Sequence, residues 1–188
     1  MSSTGPHETE AKFRLEDRAA FEARLRALGA EGGPVEDEEN VLLDDAAGTL
    51  TARGMALRVR TVAGRALLTL KGPKEVRGGV KTRLELETGV EDAGALVSLL
   101  GLLGFSPSFR YQKRRATWTF ADPVRPVVVV DETPLGLFAE IEGEEAAVRA
   151  LASELDVPEG AFLADSYVAL YVAARRADPA LPRDMVFR

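Results

Sequence analysis

A chain of 188 residues, 46% hydrophobic and 29% charged, has the size and composition of one folded domain with a substantial core. Its net charge of −6 excludes a general nucleic-acid binder, which needs a dominant basic surface. With no cysteine and a single histidine, His7, it can hold neither disulfides, thiolate zinc, a cysteine nucleophile nor a histidine-built metal site, so any metal needs oxygen ligands.

Residues 8–15 alternate as Glu8-Thr9-Glu10-Ala11-Lys12-Phe13-Arg14-Leu15, which predicts a strand with one charged face. Residues 17–28 place Ala20, Phe21, Leu25 and Leu28 at helical spacing before Gly29, a helix with a glycine stop. Gly32-Gly33-Pro34 predicts a break and Val41 to Leu43 a short strand ending at Asp44-Asp45, with the acidic run Glu36 to Glu39 expected in solvent. Strands follow over 55–62, 65–71 and 80–90, joined by a turn at Ala63-Gly64 and by a flexible Gly/Pro loop. A helix is predicted over 92–103, strands over 109–120, 126–131 and 138–143, and helices over 144–155 and 165–176. The organisation read from this is a leader over 1–7, a single domain over 8–176 and a loosely held tail over 177–188. No apolar run suits a signal peptide or a membrane span, so a cytoplasmic protein without a membrane partner is expected.

The charges carry the chemistry. Side chains two apart share a strand face, so Glu8, Glu10 and Lys12 point together, as do Arg58 with Arg60, Arg83 with Glu85 and Glu87, Lys113 with Arg115, and Glu140 with Glu142. The alternate positions, Leu57, Val59, Leu84, Leu86 and Ile141, are apolar. One such strand alone is ordinary, since antiparallel sheets often wet one face. Repetition along the chain predicts an α+β fold, an eight-stranded antiparallel β-barrel or tunnel with helices packed on its apolar outside and the charges lining its lumen. Buried charge persists only when acids and bases satisfy one another or a ligand completes them. Arg58, Arg60, Arg83, Arg115, Lys12, Lys71 and Lys113 suit phosphate oxygens, and Glu8, Glu10, Glu85, Glu87, Asp131, Glu140 and Glu142 offer the hard oxygens that Mg²⁺ or Mn²⁺ accepts.

These residues fall into ordered motifs. Glu8-Thr9-Glu10-Ala11-Lys12 resembles the N-terminal Glu-x-Glu-x-Lys signature of the CYTH, or triphosphate tunnel, family, whose members include class IV adenylate cyclases, thiamine triphosphatases and inorganic triphosphatases. Ala56 to Arg60, Leu68 to Gly72, Arg83 to Glu87, Lys113 with Arg115, and Leu135 to Glu142 resemble successive family motifs, and Ser166-Tyr167 the start of its C-terminal helix. The resemblance implies divalent metal at Glu8, Glu10, Glu140 and Glu142, with Asp131 and Glu85 or Glu87 assisting a second ion or orienting water. It implies arginines holding phosphates, Lys12 contacting phosphate and Lys71 managing a proton near the nucleophile, so that Lys12, Lys71 and Glu85 are the catalytic candidates. Two features depart from the pattern. Many relatives carry an aromatic residue where this chain has Val41-Leu42-Leu43, and His7 directly precedes Glu8 without the phenylalanine that accompanies a histidine in the cyclases.

The remaining motifs have plainer readings. His7 fits an exposed position, and Tyr111, Trp118 and Phe120 fit strand packing. The segment 71–79 lacks the ending of a P-loop, and Asp165-Ser166 fits a helix cap. The function expected is metal-dependent hydrolysis of inorganic or thiamine triphosphate by a monomer or homodimer. Cyclisation of ATP and non-catalytic polyphosphate or nucleotide binding are the alternatives.

Overall fold

The computed structural model describes residues 7–188, so the leader expected over 1–7 lies outside the described residues except for His7. The chain closes one antiparallel barrel of eight strands: β1 (His7–Arg14), β2 (Ala30–Asp44), β3 (Ala56–Val62), β4 (Arg65–Arg77), β5 (Val80–Val90), β6 (Ser106–Phe120), β7 (Val127–Thr133) and β8 (Gly136–Glu142). Around the barrel they run β1-β5-β4-β3-β2-β6-β7-β8, with β8 pairing back onto β1. The helices are α1 (Arg18–Ala27), α2 (Thr49–Ala52), α3 (Ala93–Leu102), α4 (Glu145–Glu154) and α5 (Tyr167–Ala177), with a 3₁₀ turn at Glu159–Ala161. Among the described residues no helix is long and apolar enough to cross a membrane.

Period-two patterning decides which face goes where. Ala11 and Phe13 on β1, Ala116 and Trp118 on β6, Val128 and Val130 on β7, and Ala139 and Ile141 on β8 point outward and are buried beneath Phe21 and Leu25 of α1 and Val148, Leu151 and Ala152 of α4. Helices α1 and α4 begin on side-chain caps, Asp17 accepting from the Ala20 amide and Glu144 from those of Ala146 and Ala147. Inside, the barrel keeps its charges, and the start of α5 reaches in among them.

Four expectations are corrected. Gly32-Gly33-Pro34 does not break the chain: β2 runs through it with a register shift between Gly32 and Val35, a bulge that absorbs the proline and bends the strand. Gly32 also makes room, since a Cβ there would stand 2.8 Å from the Trp118 ring. The acidic run is not wholly solvated, because alternation turns Glu38 inward, where it is buried. The segment 72–77 is no loop: β4 continues past a bulge between Lys71 and Lys74 and turns only at Gly78-Gly79. The segment beyond residue 177 is anchored rather than loose, for Met185 is fully buried, its amide donates to the Arg110 carbonyl and its carbonyl accepts from the Gln112 amide. Helix α2 and the 3₁₀ turn were not anticipated; α2 is too short to show periodicity.

Met185 packs with Tyr111, Phe138, Tyr167 and Tyr171 into an aromatic plug that joins α5 to the barrel wall. Met185→Ala should therefore lower stability by roughly 2–5 kcal/mol, the range for emptying a buried methionine site, measured by urea denaturation.

Candidate active site

The barrel encloses a cavity of about 430 Å³, within the usual range for small-molecule sites. Its wall draws on β1 to β6 and β8, so residues far apart in sequence meet because inward positions of neighbouring strands stand in register. Glu10 opposes Lys81 on one side and Glu142 on the other, Arg58 opposes Thr69, and Arg115 opposes Asp131.

One part of the lumen is internally neutralised. Asp131 receives the Arg115 guanidinium as a fork, Nε and Nη2 each at 2.7 Å, together with Lys113 Nζ at 3.2 Å and the Tyr167 hydroxyl at 2.8 Å. Glu140 takes Lys12 at 2.8 Å and Arg115 at 2.5 Å, and Lys12 also lies 3.7 Å from the centre of the Tyr167 ring. Burial alone would raise the Glu140 pKa, but Lys12 and then Arg115 outweigh it and hold the carboxyl well below the usual carboxylate range. Arg115 and then Lys113 likewise hold Asp131 below its ordinary value despite its burial. With these oxygens occupied, Asp131 and Glu140 act on the cations, orienting Arg115 and Lys12.

A second part is crowded with like charge. Carboxylate oxygens of Glu8, Glu10 and Glu142 lie within 4.8 Å of one another. Burial pushes Glu142 up to about 7; Arg115 opposes this, and Glu140, Glu8 and Glu10 add to it. Burial, with Glu85 alongside, also raises Glu8 above its ordinary value. Lys71 contacts both Glu8, at 2.9 Å, and Glu85, and Lys81 pairs with Glu10. Three hard oxygen donors whose charges oppose one another fit a divalent cation such as Mg²⁺ or Mn²⁺, which would relieve the repulsion.

A third part presents cations with donors to spare. Arg58 donates to the Tyr111 hydroxyl at 3.3 Å and to Thr69 at 3.2 Å. Arg83 donates to the Gly72 carbonyl at 2.7 Å. The Nε atoms of Arg58, Arg60 and Arg83 are buried without a hydrogen-bond partner. Such donors are costly unless an acceptor arrives, and phosphate oxygens match them.

Of the carboxylates expected to bind metal, the structure thus brings together Glu8, Glu10 and Glu142. It commits Asp131 and Glu140 to cations, places Glu85 against Lys71 and Arg58, and leaves Glu87 near the rim, accepting from Thr69 at 2.7 Å. All the expected phosphate-binding residues, Lys12, Arg58, Arg60, Lys71, Arg83, Lys113 and Arg115, line the cavity. The sequence reading missed Lys81, Glu38, Tyr111 and Tyr167. Lys81 shares parity with Arg83 and was legible. Glu38 was hidden in an acidic run, yet it contacts Arg60 at 3.6 Å and Lys113 at 3.4 Å. Tyr111 was read as packing, but its hydroxyl faces the lumen, where Arg58 and then Lys113 pull its pKa below the ordinary value against the effect of burial. Tyr167 enters from a helix, with no strand pattern to flag it.

Beside the charged region the cavity wall becomes neutral, formed by Leu42, Met55, Pro73, Ala164 and Val168. Lys74 reaches across this mouth to the Ala164 carbonyl at 2.8 Å, so the β4 bulge and the approach to α5 are tied together there.

Comparison with known proteins agrees with this geometry. The CYTH domain model matches residues 6–165. A Methanocaldococcus jannaschii protein, provisionally named an adenylate cyclase, is 28% identical over 135 residues, 72% of this chain and 75% of that protein. A Pyrococcus horikoshii protein of known structure superposes with a TM-score of 0.74 at 27% identity, over 89% of this chain and 99% of that one. A Vibrio parahaemolyticus structure, also provisionally named an adenylate cyclase, superposes with a TM-score of 0.78 over 90% of this chain and 99% of that one; at 22% identity it speaks to the fold alone.

Two outcomes are expected. Asp131→Asn should cost roughly 3–5 kcal/mol in urea denaturation, the scale for leaving buried cations unpaired, whereas Glu87→Gln at the rim should cost less than about 1 kcal/mol. The raised pKa of Glu142 means that its ionisation opposes folding: its contribution is full below its ordinary 4.5 and lost as pH rises through about 7. A divalent cation favours the ionised form. The rise in melting temperature produced by Mg²⁺ or Mn²⁺ should therefore be larger near about pH 8 than near about pH 6, and Glu142→Gln should flatten that dependence in differential scanning fluorimetry.

Proposed function

The chain belongs to the CYTH domain family, and on that premise we propose that it is a metal-dependent hydrolase of a triphosphate-bearing small molecule. The observation that carries this reading is the division of one lumen into a crowded carboxylate group and a set of buried guanidinium donors without acceptors. Phosphoryl transfer is chiefly positioning and charge stabilisation, which such a lumen supplies without a covalent nucleophile.

Arg58, Arg60 and Arg83 bind phosphate oxygens through their open donors, and Lys12 and Arg115, held by Glu140 and Asp131, present fixed positive charge where negative charge spreads in the transition state. A divalent ion held by Glu8, Glu10 and Glu142 would neutralise phosphate oxygens and polarise the phosphorus. Glu85 and Lys71 orient the attacking water. The Glu85 carboxylate accepts its proton; burial would raise this group, but hydrogen bonding with Glu8 and the charges of Lys71 and Arg58 hold it below its ordinary value, and the two cations keep doing so once Glu8 is ionised on the metal. A cytoplasmic setting belongs to the same reading, as a cysteine-free chain makes no use of an oxidising compartment.

The apolar side chains at the mouth, Leu42, Met55, Pro73 and Val168, favour an organic group on the triphosphate over inorganic triphosphate, with the one cation among them, Lys74, tied to the Ala164 carbonyl. The same mouth supports a second reading, in which a nucleoside lodges there and its 3′ hydroxyl attacks the α-phosphorus to release pyrophosphate.

Purified protein with Mg²⁺ or Mn²⁺ should release phosphate from an organic triphosphate such as thiamine triphosphate or ATP. Glu10→Gln should reduce the rate by at least about 10²-fold, the scale of losing one electrostatic element of a catalytic site. Chromatography that resolves phosphate, pyrophosphate and cyclic AMP checks this: cyclic AMP with pyrophosphate would establish the cyclase instead, and binding without product would make the barrel a receptor.

A further inference from the structure

One hydroxyl on the cavity wall still has its proton to give. Each of the chain's three tyrosines is buried, and two of them have spent theirs: Tyr167 donates to Asp131 at 2.8 Å, and Tyr171 to the Pro182 and Asp184 carbonyls at 3.0 and 3.1 Å. Tyr111 differs. Its oxygen accepts from Arg58 Nη1 at 3.3 Å, and no described residue receives its proton. Asn40, its partner in register on β2, is buried with both amide atoms unbonded, so the proton does not go there either.

The hydroxyl is also held in place. Tyr111 shares the inward face of β6 with Lys113 and Arg115, lines the cavity, and packs its ring among Phe138, Tyr167, Tyr171 and Met185. A donor fixed by packing before the substrate arrives needs no reorganisation in the transition state. Burial would raise the Tyr111 pKa, but Arg58 and then Lys113 outweigh it and bring the group below its ordinary value. A more acidic O–H is the stronger donor.

Arg58 relates this donor to the rest of the site. Its strand, β3, lies between β4 and β5 on one side and β2 and β6 on the other. Accordingly its Nη2 lies 3.7 Å from Glu85, on β5, while its Nη1 touches Tyr111, on β6. A phosphoryl group gripped by this guanidinium has the carboxylate that takes the proton of water on one flank and the phenol on the other. In-line displacement needs that disposition, because the entering and leaving oxygens stand on opposite sides of phosphorus.

We infer that Tyr111 is a catalytic residue, whose hydroxyl donates a hydrogen bond to the oxygen that leaves the terminal phosphorus. The bond from the water oxygen to phosphorus forms as the bond to the bridging oxygen breaks. The electron pair stays on that bridging oxygen, and the tyrosine keeps its proton while its hydrogen bond stabilises the growing charge. The inference rests on the hydrolase reading, in which Glu85 serves the attacking water.

Tyr111→Phe removes the oxygen and keeps the ring in the aromatic plug. With Mg²⁺ and ATP or thiamine triphosphate, initial rates should show kcat lowered by about 10²-fold, the scale for losing one donor to a developing oxyanion. The Kd of the imido analogue of ATP, measured by calorimetry, should change by less than about threefold, because an interaction made only in the transition state leaves ground-state binding alone. Tyr171→Phe removes a hydroxyl from the same plug that bonds only carbonyls near the chain end, and should keep kcat within about threefold of wild type. The inference is overturned by a Tyr111→Phe variant that keeps its kcat, by a loss of kcat matched in the Kd of the analogue, which would make the hydroxyl a prop for Arg58, or by an equal loss in Tyr171→Phe. A wild-type chain that makes cyclic AMP with pyrophosphate, or no product, gives a different failure: it removes the hydrolase reading and takes this assignment with it.

Discussion

The buried ion-pair network around Arg115 is the constraint on which the rest of this barrel depends. A guanidinium at the centre of the lumen is tolerable only because Asp131 grips it with two oxygens and Glu140 with a third contact, and Asp131 in turn is shared with Lys113 and the Tyr167 hydroxyl. Buried pairs of this kind add little net stability against an apolar core but are severe when broken. The network therefore specifies the arrangement: the register of β6 on β7, the seat of β8, and the docking of α5 all have to be right together for the charges to be satisfied. Helix α5 becomes part of the site through this requirement, since its first residue supplies the hydroxyl that completes Asp131.

The lumen is not uniformly satisfied, and the uneven parts are where chemistry is expected. Around Arg115 the acids and bases cancel. Around Glu8, Glu10 and Glu142 the carboxylates crowd together, and burial first, with Glu140, Glu8 and Glu10 adding to it against Arg115, raises Glu142. Around Arg58, Arg60 and Arg83 buried donors lack acceptors. Crowded carboxylates beside open donors make the charge distribution that a cation together with a polyanion would complete. The neutral wall formed by Leu42, Met55 and Val168 limits the charged region on one side, which is how a polar cage and an organic substituent can share one cavity.

Much of this was legible in the residues. Because strand side chains alternate strictly, Arg58 with Arg60, Arg83 with Glu85, and Glu140 with Glu142 had to share faces wherever their strands ended up, and apolar outer positions matched to apolar helices made an inside-out barrel the consistent solution. Local signals failed where tertiary pairing overrode them: β2 passes through Gly32-Gly33-Pro34 because β6 pairs with it on both sides of the bulge, and β4 continues past Pro73 because β5 does. Residues near the chain end looked like a tail because one buried methionine and a few backbone bonds to β6 leave no periodicity.

Composition and alternation alone determined the fold class, the inward set of charges and the need for oxygen ligands in any metal site, because these follow from bond geometry and side-chain chemistry within a single segment. Only the tertiary structure decided which carboxylates stand together and which are spent on cations. Glu142 joins Glu8 and Glu10 while Glu140, two residues away, is taken by Lys12 and Arg115. The difference arises from register between strands, from a helix contributing Tyr167, and from Coulomb interactions at a few ångströms that no single segment encodes.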